Sequence, residues 1–205
     1  MKKNNKVLNF IVTAVLLMAL WFVMSGKTET KFLILGALSS ILIAFACTKT
    51  LNMKGALTDR TYYLLAVNPV KFIMYLGWLI YQIIKSAVYV SGVTLFRRSE
   101  VEPSIAWFMA DYDNPSARAI LANSITLTPG TITIDITESG IFSVHALTRS
   151  VREGLLDGTM QNKVAWLYGE TINFRPVDES EVPEHIVKQE ENYAPKRFIV
   201  RRKKA

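Results

Sequence analysis

Two apolar runs follow each other near the start of the chain, and neither contains a carboxylate. Val7 to Met24 is interrupted only by Asn9 and Thr13, and Phe32 to Cys47 comes after a short connection. A hydrocarbon core about 30 Å thick takes about 20 apolar residues in a helix. Both runs approach that length, so they predict a membrane-embedded helical hairpin with spans over 7–24 and 32–47. A span that carries protons or sodium normally needs an ionisable side chain within it. These runs supply none, so they read as an anchor rather than an ion path.

The chain then changes character. It has 205 residues, 50% of them hydrophobic, and a mean hydropathy of +0.22. That is high for a wholly soluble protein and low for one entirely within lipid. Apolar residues dominate up to Phe96; from Arg97 onward charge, turn residues and short apolar stretches mix. The second part is long enough for one small domain of about a hundred residues. The net charge is +7. Lys2, Lys3 and Lys6 precede the first run, Lys49, Lys54 and Arg60 follow the second, and Arg97 and Arg98 close a third. Lysine and arginine collect at cytoplasmic membrane ends. This explains the basic balance better than nucleic-acid binding, because no base-stacking motif accompanies the scattered charges.

The lysine-rich start resembles a secretory signal, but the run is long, Ser25-Gly26-Lys27 is a weak cleavage site, and a second run follows at once. An uncleaved signal anchor is the expectation. Cys47 is the single cysteine. It has no internal disulfide partner and reads as a small apolar side chain.

The third apolar stretch opens at Asn68-Pro69 and runs from Val70 to Phe96. Proline suits the first turn of a helix. At about 100° per residue, Lys71, Tyr75, Trp78, Gln82, Lys85 and Tyr89 fall near one face, with Ile73, Gly77, Ile80, Ile84 and Ser91 opposite. Two placements over 70–96 fit. The helix spans the membrane with its stripe packed against protein, or it lies along the interface with Lys71 and Lys85 toward headgroups. Two spans keep both basic flanks in the cytoplasm, whereas a third would send Arg97, Arg98 and everything after them outside.

Beyond it, Ser104–Met109 predicts a short strand and Ser116–Asn123 a helix. Pro129-Gly130 is a turn signal. Thr131–Ile136 alternates, and Phe142, Val144 and Ala146 alternate on a return strand, which together give a β-hairpin. Asp157–Tyr168 predicts a last helix, stopped at Gly169. The order β-α-β-β-α gives a small α+β domain over 99–170, followed by a charged, flexible tail over 171–205. The basic end Arg201-Arg-Lys-Lys204 is suited to solvent or anionic headgroups.

The residue pattern supplies little chemistry. His145 and His185 are the only histidines, and no H-x-x-x-H or C-x-x-C spacing occurs, so no metal site is expected. No nucleophile elbow, dinucleotide fingerprint or P-loop occurs, so no catalytic residue, cofactor or small-molecule substrate is expected. Thr126, Thr128 and Thr131 around Pro129-Gly130 read as hydroxyls that cap a turn rather than as a phosphate cradle. His145 and Asp135 read as polar strand positions.

Ser124-Ile-Thr-Leu-Thr-Pro-Gly-Thr131, the alternating strand after it and Val144-His-Ala-Leu147 resemble the E subunit (MnhE, MrpE, PhaE) of Mrp-type multisubunit cation/proton antiporters. The element order matches too: an apolar hairpin, a long third segment with scattered lysines, and a small cytoplasmic α+β domain. The resemblance covers Val7 to Tyr168; Thr148–Gly158 is longer and richer in glycine than that pattern, and the tail has no counterpart. It implies a bacterial cell-membrane complex that exchanges internal sodium or potassium for external protons. It also implies that partner subunits carry the ions while this one serves assembly or activity. The residues singled out are Leu127, Thr128, Pro129 and Gly130, as a fold-fixing and contact loop. The rival expectation is a stand-alone membrane-anchored binding or scaffold module.

Overall fold

The computed structural model of the chain describes residues 6–50, 52–63 and 67–182. Lys2, Lys3, His185 and the basic end of the tail lie outside the described residues. Two compact units form: Met1–Asn68 with Asp113–Ser116, and Pro69–Tyr112 with Ala117–Ala205.

The first unit begins with helices α1 (Lys6–Ser25) and α2 (Thr30–Thr50), packed on each other. Trp21 closes on Gly36, where any Cβ would overlap the indole ring. The indole N–H donates to the Phe32 carbonyl at 3.1 Å. Leu16, Leu20, Val23, Leu38, Leu42 and Phe45 are exposed on these helices. By length and composition, Thr30–Cys47 is a candidate span, whereas Asn9–Ser25 is a shorter apolar helix.

Asn9 and Thr13, the polar breaks in the first run, are buried. The Thr13 hydroxyl donates back to the Asn9 carbonyl at 2.9 Å. Strands β1 (Asn52–Lys54) and β2 (Thr61–Tyr63) pair antiparallel, a hairpin of runs too short to show alternation in the sequence. Tyr63 brings its hydroxyl to the Asn9 carbonyl at 3.1 Å and into contact with the Thr13 hydroxyl. So the two polar interruptions mark a docking point for a buried tyrosine.

The second unit holds helix α3 (Pro69–Phe96) and the α+β domain. Strands β3 (Val101–Ala110), β4 (Thr131–Ile136), β5 (Ile141–Thr148) and β6 (Phe174–Pro176) make one antiparallel sheet in the order β4-β5-β3-β6. Phe108 faces Phe142 across β3 and β5, and the rings stack at 5.0 Å. Ala106, Val144 and Ala146 extend this buried face. Helix α4 (Pro115–Leu127) adds Ala117, Leu121 and Ile125, and α6 (Thr159–Tyr168) adds Val164 and Leu167, all buried. Tyr112 donates to the Gln161 carbonyl at 2.5 Å.

Several elements exceed the sequence reading. Helix α4 starts at Pro115 and continues past Asn123 to Leu127, so it runs almost to the Pro129-Gly130 turn. A further helix, α5 (Arg149–Leu155), fills the glycine-rich stretch, with Thr148 capping it by accepting the Val151 amide at 3.2 Å. Ordered structure also continues beyond residue 170. Strand β6 pairs with β3, and Val177 and Val182 pack against Trp107 and Met109 on the other sheet face. These apolar residues are isolated among charges in the sequence, which hides their role.

Candidate functional site

The stripe on α3 meets the domain of its own unit. Lys71 Nζ donates to the Trp166 carbonyl at 3.0 Å and stands 5.0 Å from the centre of that indole ring. Tyr75 is buried, and its hydroxyl shares a 2.7 Å hydrogen bond with Ser124 of α4. Lys163 of α6 lies 4.7 Å from the Trp166 ring centre and 5.9 Å from that of Trp78. Further along, Ser86 donates to the Pro129 carbonyl at 2.6 Å, and Tyr89 meets the Thr148 hydroxyl at 3.3 Å. Leu79 and Val93 are buried on the same side. Lys85 is exposed. The two lysines singled out from the sequence thus differ: Lys71 is held by the domain, and Lys85 faces outward.

The segment Leu127–Gly130 joins the end of α4 to β4. Leu127 ends the helix with its side chain exposed. The Thr128 hydroxyl donates to the Ser124 carbonyl at 2.8 Å. Thr131 donates to the carbonyls of Ile125 and Thr128 at 2.6 and 2.9 Å. These are the turn-capping hydroxyls that the threonine pattern predicts. Gly130 holds φ at +93°, and a Cβ there would stand 3.0 Å from Val90 Cγ2 of α3. Its carbonyl accepts the Leu147 amide at 2.9 Å. The turn is therefore fixed to α4, β5 and α3 together. Ser86, Trp166 and Lys163, which help complete this contact, have no motif of their own, and Ser124 enters it from the start of the Ser124–Thr131 motif.

The face of α3 opposite the stripe is bare. Ile73, Ile80, Ile84 and Val88 are exposed, and so is Gly77. The arrangement offers packing surfaces rather than convergent reactive groups. Among the described residues, no group of three or more His, Cys, Asp or Glu side chains is placed to hold a metal ion.

In the first unit, the Gly55–Tyr62 loop closes on Asp113. The amides of Leu57 and Thr58 donate to Oδ1 at 3.0 and 2.8 Å, and the hydroxyls of Thr58 and Tyr62 to Oδ2 at 2.5 and 2.6 Å. Desolvation, the largest single influence, pushes the Asp113 pKa up. The hydrogen bonds from Thr58, Tyr62 and the Leu57 amide outweigh it and hold the carboxyl at about 2.

Residues 14–164 match a family model described as MNHE, Na+/H+ ion antiporter subunit. A curated relative, "Na(+)/H(+) antiporter subunit E1" of Staphylococcus saprophyticus, is 26% identical over 144 residues, or 70% of this chain and 84% of that protein. A chain in the solved structure of the membrane-bound sulfane sulfur reductase, an archaeal respiratory membrane complex, aligns with a TM-score of 0.54 and 26% identity. That alignment covers 67% of this chain and 81% of the other. Matched over most of its length, from the first apolar helix to α6, the chain belongs to the MNHE family of Na+/H+ ion antiporter subunits.

Proposed function

We propose that this subunit is an accessory one: it supports assembly and activity of an antiporter complex and carries no ions itself. The observation that carries the reading is the absence of aspartate and glutamate from α1, α2 and α3. A path for sodium or protons through lipid needs an ionisable group that binds and releases its ion. In the described parts of α1 and α2, the buried polar side chains are Asn9, Thr13 and Ser40, which are neutral. Helix α3 is engaged with the domain through Lys71, Tyr75 and Tyr89 of its stripe and through Ser86 beside it. The hairpin serves as the anchor, and the α+β domain lies on the cytoplasmic side, as the basic residues around the apolar runs favour.

Leu127–Gly130 is the contact loop of this reading, rigid because three elements hold it and apolar at its tip through Leu127. Replacing Pro129 and Gly130 together by alanine is expected to reduce recovery of the assembled complex and its sodium/proton exchange in parallel. Unchanged assembly and exchange would remove the loop from the account. For sidedness, single cysteines at Ser99 and Ser180 are expected to react with an impermeant maleimide only in inside-out vesicles. Reaction of both in right-side-out vesicles would overturn the cytoplasmic placement.

A further inference from the structure

We infer that α3 lies flat in the surface of the bilayer, its bare face sunk into the acyl boundary and its striped face carrying the α+β domain. This deepens the membrane-subunit reading and rests on it. By length and composition alone α3 is a candidate span. Its attachments argue against crossing. Hydrogen bonds to the domain extend from Lys71 to Tyr89. At about 1.5 Å per residue, that is about 27 Å of helix, nearly the full thickness of the hydrocarbon. A crossing α3 would hold the domain against it at every depth. The domain surface bears ionised groups such as Arg149 and Glu153, whose side chains are 80% and 64% exposed. It also ends in β4, an edge strand. Charged side chains at mid-bilayer are costly, and open sheet edges do not face lipid.

The same geometry suits a helix lying in the interface. Exposed apolar side chains recur along this face at Ile73, Ile80, Ile84, Val88 and Leu95, with Gly77 and Ser91 on the intervening turns. No carboxylate occurs anywhere in α3, so nothing on it repels anionic headgroups. At about 100° per residue, Lys85 falls at the flank between the buried and the bare faces, the level at which an interfacial helix places a cation. Arg97 and Arg98 are exposed just past its end. Tyr81 is exposed beside the apolar face, and the Trp78–Trp166–Lys163 cluster supplies the mixture of aromatic rings and cations typical of a membrane–water boundary. Lipid, rather than a second protein, fits a face that is apolar but for Ser91 and basic at its edge.

The test is site-directed spin labelling of the full-length chain. Cys47 is replaced by serine, single labels are placed at Ile73, Ile80, Ile84 and Val88, and the assembled complex is reconstituted in phosphatidylethanolamine–phosphatidylglycerol vesicles. Power saturation with oxygen and with a polar nickel chelate gives the depth of each label. The expected result is four labels at one shallow depth, all more accessible to oxygen than to nickel. A depth that passes through a deep maximum near Ile80 and Ile84 would show crossing and overturn the inference. Strong nickel access at all four would place the face in water, and immobile labels shielded from both reagents would place it against protein; either result overturns it. Co-purification of each labelled chain with the hydrophobic partner subunits is scored separately, so loss of complex membership is distinguishable from a wrong orientation of α3.

Discussion

Asp113 receives four donors from a loop more than fifty residues earlier in the chain. Its carboxyl titrates at about 2, below its ordinary 3.8, so the ionised form is the one that holds the loop. The sign follows from linkage: a depressed folded pKa stabilises above the unfolded value, and the contribution disappears as pH falls through the folded one. Hydrogen-exchange protection at Leu57 and Thr58 is therefore expected to stay constant from neutral pH down to about 4 and to decline toward about 2. Asp113→Asn is expected to show lower protection at neutral pH and a flat profile across that range. A wild-type profile without the acid decline would contradict the assigned role. The sequence gives no sign of this partnership, because a clasp between distant segments leaves no local period. Arg118 is hidden for the same reason. It is buried and donates to the carbonyls of Tyr112 and Glu138 at 2.9 and 2.8 Å, bracing the β4–β5 turn.

Elements with a strong period were the most legible. The alternation from Thr131 to Ile136 gives β4 with both ends where the structure has them. Helix α3 starts at the proline that suits its first turn, and the residues opposite its stripe, Ile73, Gly77, Ile80, Ile84 and Ser91, are all exposed. Short elements were not legible. Strands β1, β2 and β6 have three residues each, too few to show alternation, and exist through pairing and through side chains such as Tyr63 and Phe174. Helix α5 is obscured by Gly154 within it and Gly158 just beyond it. The candidate loop was legible as a turn through Pro129-Gly130, but its attachment to Ser86 was not, since serine on an apolar helix carries no distinctive signal. The sheet core rests on the Phe108–Phe142 stack, with Phe174 from β6 5.7 Å from the Phe108 ring centre. Phe108→Ala is expected to destabilise the domain by about 3–5 kcal/mol, the range for deleting a buried aromatic ring. Chemical denaturation followed by intrinsic fluorescence checks this, and a loss below about 1 kcal/mol would contradict the placement of the core.

At the scale of the molecule, the chain divides its labour by composition. Acid-free apolar helices form the proposed attachment, and a small α+β domain follows with the Leu127–Gly130 turn. The family assignment makes it an Na+/H+ antiporter subunit, and the supporting part proposed for it there rests on the missing carboxylates. The most direct measurement reconstitutes the purified full-length chain alone in proteoliposomes loaded with a pH-sensitive dye, under an imposed proton gradient, beside the complete complex. The account predicts sodium-dependent dissipation of the gradient by the complex and none by the isolated chain. Sodium- or potassium-dependent proton movement by the isolated chain would contradict it.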